Sequence, residues 1–232
     1  MRKLLLATTL LAAIGVTPAL AADSAISIWN TANPGGIETA TGIGQASVLS
    51  SNLSGITVSV SSVLRGTGPD QLTEANINID NTDSTTQTLR IIAGANGFAG
   101  PSDAFNLTGA IGVTLGGADL VGAYFVDGTN TLNGQGLTVT GTNIGNFDSG
   151  LLSGPQSFSF NGIGADLVNT PYGLAEELTL TLAPGAAVFI QGVSMDATTA
   201  IPELSTWVYT LAGFGLLGVV GLRRKSSARF AL

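Results

Sequence analysis

The residue types that carry most enzyme chemistry are missing from this chain. Its 232 residues include no histidine and no cysteine. Imidazole triads and proton shuttles, thiol nucleophiles, disulfides and histidine or cysteine zinc sites are therefore excluded. Hydroxyls are plentiful, but no lysine lies between Ala22 and Glu203. A base for any nucleophile would have to be Asp or Glu, and no nucleophile-elbow pattern presents a serine to one. Two carboxylates suffice for glycoside hydrolysis. The acidic doublet is Glu176-Glu177. Adjacent residues of a strand face opposite sides, so the doublet is expected at a solvated edge. We expect no enzyme and no cofactor.

Hard-oxygen metal binding is the other chemistry within reach. Asp80-Asn81-Thr82-Asp83 and Asp127-Gly128-Thr129-Asn130 offer oxygen ligands at short spacing, with Asp80, Asp83 and Asp127 as calcium candidates. Neither stretch has the full acidic loop with its distal glutamate. Both are also turn sequences, because Asp and Asn bond their own backbone, and turns are the role expected first. Such elements need a body to position them, and the length suits one ordinary domain.

Charge narrows the partners. Eight basic residues stand against fifteen acidic ones. Six of the basic residues lie at the two ends, leaving Arg65 and Arg90 for the middle. The stretch 22–203 thus has a formal charge of −13. Such a surface repels phosphate, so nucleic acid is not a partner, whereas polyvalent cations are compatible counterions.

Residues 1–21 have the form of a secretory signal peptide. Met1-Arg2-Lys3 is the positive start, Leu4–Val16 is an uncharged run, and Pro18 breaks the helix before Ala19-Leu20-Ala21. The small residues Ala19 and Ala21 suit a signal peptidase, with cleavage after Ala21 and Sec-type export. At the far end, Leu204 to Leu222 gives 19 uncharged residues closed by Arg223-Arg224-Lys225. As a helix this spans about 28 Å, close to a hydrocarbon core. Trp207 and Tyr209 suit the outer interface, and the basic cluster puts the tail 223–232 inside. The expected organisation is a signal peptide over 1–21, an ectodomain over 22–200 and a C-terminal signal over 201–232.

Ile201-Pro202-Glu203-Leu204-Ser205-Thr206-Trp207, the apolar helix over 205–222 and the Arg223-Arg224-Lys225 cluster together resemble the PEP-CTERM sorting signal. Leu204 stands where that signal usually has its second proline. The resemblance implies export in a Gram-negative bacterium and recognition by an exosortase-like transpeptidase that removes or exchanges the helix near the motif. It also implies an association with exopolysaccharide, biofilm or floc matrix. The residues themselves add that Pro202 fixes its φ and holds Ile201 extended, while Ser205 or Thr206 can cap the helix. Thr170-Pro171-Tyr172-Gly173-Leu174 through Leu180 weakly resembles a stretch preceding the signal in some such surface proteins.

Strand signals fill the ectodomain. Ile56–Ser61, Ile77–Asp80 and Leu178–Leu182 alternate strictly. Further strands are expected at Ala25–Trp29, Thr88–Ile92, Ala110–Leu115, Leu120–Val126, Leu137–Thr140, Phe158–Phe160 and Val188–Gln191. Turns are expected at Gly66–Pro69, Gly94–Gly97, Asp127-Gly128, Asn133-Gly134 and Pro184-Gly185. Short strands without crossover helices specify an all-β antiparallel sandwich. Phe158 and Phe160 share a face and are expected in the core, whereas Trp29, Tyr124 and Tyr172 are the candidates for an exposed sugar-binding face.

Two functions fit this reading. One is an exported surface or matrix protein, structural or adhesive in exopolysaccharide. The other is a polysaccharide- or calcium-binding module permanently anchored in the membrane by the C-terminal helix.

Overall fold

The computed structural model describes residues 23–48, 51–59, 61–65, 71–74, 76–98, 102–168 and 171–198. Strands make up 69% of these residues, and the helical element among them is the three-residue 3₁₀ turn Pro34–Gly36. The class is all-β. The signal-peptide helix and the membrane helix expected at 205–222 lie outside the described residues. Among the described residues, no helix is long and apolar enough to cross a membrane.

Two antiparallel sheets face each other. Strands are numbered along the chain. The first sheet holds β1 (Ser24–Asn30), β2 (Glu38–Gly42), β9 (Gln87–Phe98), β11 (Gly117–Asp127), β12 (Thr142–Asp148), β13 (Leu152–Ser153) and β15 (Tyr172–Leu182). Its order is β12-β11-β15-β9-β1-β2, with β13 also on β11. The second sheet holds β3 (Gln45–Val48), β4 (Ser51–Asn52), β5 (Ile56–Ser59), β6 (Ser61–Arg65), β7 (Gln71–Glu74), β8 (Ile77–Asn81), β10 (Ala104–Leu115), β14 (Gln156–Gly164) and β16 (Ala187–Thr198).

The second sheet is forked. Along one side β16 pairs with β10 over nearly its whole length. On its other side, Ala187–Ile190 pairs with β8, and Ser194–Asp196 pairs with β7. Where the fork opens, the β10–β16 register slips between Thr108 and Ala110, and Gly192 has φ +56°. A bulge there is expected, since the extra residue re-aims the strand.

The core between the sheets is Ile, Leu and Val. Ile26, Ile28, Leu89, Ile91, Leu178 and Leu180 on the first sheet are fully buried, as are Ile56, Val58, Ile77, Ile79 and Ile190 on the second. Each such side chain contributes about 1.5–3 kcal/mol relative to an exposed one. Phe158 and Phe160 are partly buried against this core.

Glycine does more than turn the chain. Gly122, Gly109 and Gly112 sit directly across from Phe147, Phe160 and Phe189. Each phenyl ring lies over its glycine, and a Cβ there would collide with the ring. Phe147 and Phe160 then stack at 3.7 Å and 10°, joining edge strand β12 of one sheet to β14 of the other. Such closure covers edges that would otherwise be open to pairing. Gly122→Val is expected to push Phe147 off this stack and cost about 1–3 kcal/mol by overpacking. Thermal unfolding checks it: an unchanged midpoint would mean that the stack does not hold the edge.

Two expectations are corrected. Gly94–Gly97 is not a turn but the end of the twelve-residue β9. Its glycines admit a covering loop: a Cβ at Gly94 would stand 2.7 Å from the Asn133 carbonyl oxygen, and the Gly97 N–H donates to Asn130 Oδ1 at 2.7 Å. Leu137–Thr140 is not a strand but part of that loop, which runs between β11 and β12. Asn133 closes it, accepting from Thr140 N at 2.7 Å.

Candidate functional site

The expected site residues fall into four places. The sorting residues Pro202, Glu203, Ser205, Thr206, Trp207, Arg223, Arg224 and Lys225, and the cleavage residues Ala19 and Ala21, lie outside the described residues. Asp80 and Asp83 are at one end of the sandwich, and Asp127 is at the other.

Asp127 ends β11 and is 3% exposed. Its carboxylate accepts from Thr129 N at 2.8 Å, Thr129 Oγ1 at 2.6 Å, Thr131 N at 3.0 Å and Thr140 Oγ1 at 3.1 Å. Burial alone would raise its pKa, but these donors together hold it below the usual carboxylate value. Its oxygens are turn acceptors. At the other end, Asp83 accepts from Ser84 N at 2.6 Å and Gln87 Nε2 at 2.9 Å. Buried Asn81 ties that turn to the Thr85, Leu182 and Ala183 carbonyls. Asp80 is exposed on β8. Among the described residues, no three acidic side chains converge as a metal site.

The Asp127 turn positions loop 128–141 across the outer face of the first sheet. Ser27 Oγ donates to the Gly134 carbonyl at 2.6 Å, and Gly134 has φ +87° with space for no Cβ beside the Ala25 carbonyl. The loop encloses a shallow cleft of about 230 Å³, lined by Thr131, Asn133, Gln135, Thr138 and Thr140 among others. The lining is uncharged and can both donate and accept hydrogen bonds. Asp127→Ala is expected to release this loop at a cost of about 2 kcal/mol, because charge-assisted bonds are lost. Faster amide exchange at Thr129, Thr131 and Thr140, with β1 unchanged, checks it.

The aromatic expectation is corrected. Trp29 is 3% exposed, Tyr124 1% and Tyr172 0%, so none forms an exposed platform for a sugar. Tyr124 and Tyr172 project into the core, where Tyr172 stacks on Phe98 at 5.7 Å. Trp29 is on the outer face, with the Arg90 guanidinium over its ring at 5.3 Å.

The acidic doublet is also not where the sequence suggested. Glu176 and Glu177 do face opposite sides, but β15 is a central strand between β9 and β11. Glu177, on the outer face, pairs with Arg90 at 2.8 Å through Nε and 2.5 Å through Nη2. Glu176 points inward, in phase with Leu174, Leu178, Leu180 and Leu182, and is 1% exposed. From the second sheet, Glu74 of β7 is turned into the same interior and is 0% exposed.

Apart from one another, the carboxyls of Glu74 and Glu176 have no hydrogen-bond partner, and neither does the Tyr124 hydroxyl. The two carboxyls are near enough to repel as like charges or to share a proton. Burial holds both far above the ordinary value, with Glu176 at about 8, and the neighbouring charge raises Glu74 further. Tyr124, directly across from Glu176 in register, has its phenol raised by burial and then by the two glutamates.

No family model matches the sequence, and neither does any curated protein. Among solved structures, the chain is similar to TmCBM61 in complex with β-1,4-galactotriose, at TM-score 0.35 and 5% identity over 62% of this chain and 83% of that one. It is also similar to the enzymatically active domain of bacteriophage CBA120 tailspike protein 4, at TM-score 0.29 and 12% identity, covering 66% of this chain and 19% of that one. A third likeness, to infectious bursal disease virus Gx strain, has TM-score 0.20 and 12% identity over 82% of this chain and 63% of that one. At these scores none of the three assigns a fold family or a ligand.

Proposed function

We propose that the chain is an exported cell-surface or matrix protein, structural or adhesive in exopolysaccharide, sorted through the Pro202-Glu203-Leu204 signal. One geometric observation carries the reading: both ends of the sandwich leave it at the same end. Ser24 begins β1 three residues after Ala21 and pairs with Ala95 near the close of β9. Thr198 ends β16 three residues before Ile201 and pairs with Ala104 at the start of β10. The chain passes from β9 to β10 at that end, where Asn96 N donates to the Asp23 carbonyl and Ser102 Oγ to the Thr198 carbonyl.

Until it is processed, a body held there is tethered beside its C-terminal signal. The turns at 31–37, 53–55, 82–86, 149–155 and 183–186 are then presented away from the tether. The acidic ectodomain suits hydrated polysaccharide with bridging cations rather than an anionic lipid surface.

Cell fractionation with an antibody to the ectodomain tests the proposal. Full-length protein is expected in the envelope and matrix, and a chain ending at Ala200 in the soluble extracytoplasmic fraction. Recovery of both in the cytoplasm would overturn it.

A further inference from the structure

We propose that Glu74 and Glu176 form a proton-operated latch between the two sheets, closed while the pair holds its protons and loosened at the fork of the second sheet when they leave. The placement is specific. Glu74 ends β7 where the chain jogs along β16 towards β8, so its carboxyl lies at the fork. Glu176 comes from the centre of the opposite sheet. Among the described residues, together they are the acid contact across an interior otherwise built mainly from aliphatic side chains and aromatic rings.

Among the described side chains nothing neutralises the pair; on β6, next to β7, Val63 is opposite Glu74 and Arg65 is opposite Leu72 in register. Tyr124 faces Glu176 from β11, and Ala93 faces it from β9. On β7 the inward neighbour is Leu72, paired with Met195 of β16. Arg90 of β9 is on the outer face, engaged by Glu177. Two charges in this setting would be unpaired, desolvated and mutually repulsive, which a packed core does not tolerate. Neutral carboxyls are compatible with the closed state; carboxylates are not.

The sign follows. A carboxyl whose folded pKa is raised binds its proton more tightly folded than unfolded. Its contribution is fully present below the unfolded value and is lost as pH rises towards the folded one, here from near 4.5 to about 8. The folding constant should therefore fall as pH rises through this window, by up to about tenfold per pH unit for Glu176, and Glu74 acts in the same direction. Because the chain has no histidine and no cysteine, no other side chain ordinarily titrates there. Asp127 is held low and acts below the window, with the opposite sign. Asp119, raised by burial and by neighbouring Asp148, is common to all variants below and cancels between them.

Full-length protein in detergent, melted at each unit from pH 5 to 9, tests the latch. The wild-type midpoint should fall steadily to pH 8, Glu74→Gln and Glu176→Gln should each reduce the slope, and the double variant should keep only the smaller slope that Asp119 gives. A wild-type midpoint that is flat or rising would overturn the proposal, as would a double variant whose slope equals that of the wild type. Wild-type amide exchange gives a readout that needs no variant. After correction for intrinsic rates, protection of Leu72, Ile77, Ile79 and Leu178 should drop with rising pH ahead of Ile26 and Ile28. Uniform loss across these amides would contradict a latch at the fork.

Discussion

Replacing Glu74 and Glu176 together by methionine is expected to raise the melting temperature at pH 8 by roughly 10 °C. Methionine has nearly the same length and fills irregular gaps in a core. The wild type must either keep two acids protonated well above their unfolded values or bury two unpaired charges. An apolar pair of similar volume removes that cost, which for buried charged groups amounts to about 1–4 kcal/mol. At pH 5 both acids are neutral in the folded state at little expense, so the two proteins should melt within a few degrees of each other. The contrast between the two pH values is the result to measure. A double variant less stable than wild type at pH 8 would mean that the carboxyls are satisfied by a bound cation or another group.

The second large effect concerns sorting. Pro202→Ala with Glu203→Ala is expected to leave the protein full-length in the inner membrane, unprocessed and absent from the cell surface. An enzyme that reads the motif depends on these two side chains individually, whereas a plain linker between sandwich and helix would accept almost any polar pair. The change leaves residues 1–21 untouched, so an export signal there would act as before and secretion and sorting separate cleanly. Leu204→Pro, which completes the usual motif, should process at least as well as wild type. Normal processing of the double alanine variant would reduce Pro202-Glu203 to a linker.

Much of the sandwich was legible in alternation. Ile77–Asp80 and Leu178–Leu182 announced strands because a half-buried strand repeats every second residue. Glycine hid the rest. Gly94 and Gly97 read as a turn, yet they lie inside β9 so that loop 128–141 can approach its backbone. The Gly122–Phe147 and Gly112–Phe189 pairs depend on strand pairing that local sequence does not encode.

The acid pair was partly visible. Leu174-Ala175-Glu176-Glu177-Leu178 puts Glu176 in phase with leucines, which was itself a sign of burial. What the sequence lacked was the neighbour: Gln71-Leu72-Thr73-Glu74 is an ordinary alternating stretch. Only the stacking of β7 on the first sheet brings Glu74 to Glu176. Likewise, Trp29, Tyr124 and Tyr172 could have been surface or core on composition, and the cross-strand rings and Arg90 decide for burial.

The central claim is that this sandwich is exported and then sorted by its C-terminal signal. Intact mass spectrometry of the protein recovered from its native host, with and without the exosortase gene, tests that claim most directly. The account predicts a mature chain beginning at Ala22 and ending near Pro202-Glu203, without Trp207 or the tail 223–232, and an uncut C-terminus when the exosortase is absent. A wild-type mass that retains every residue through Leu232 would contradict it and leave a sandwich anchored by a permanent single-pass helix.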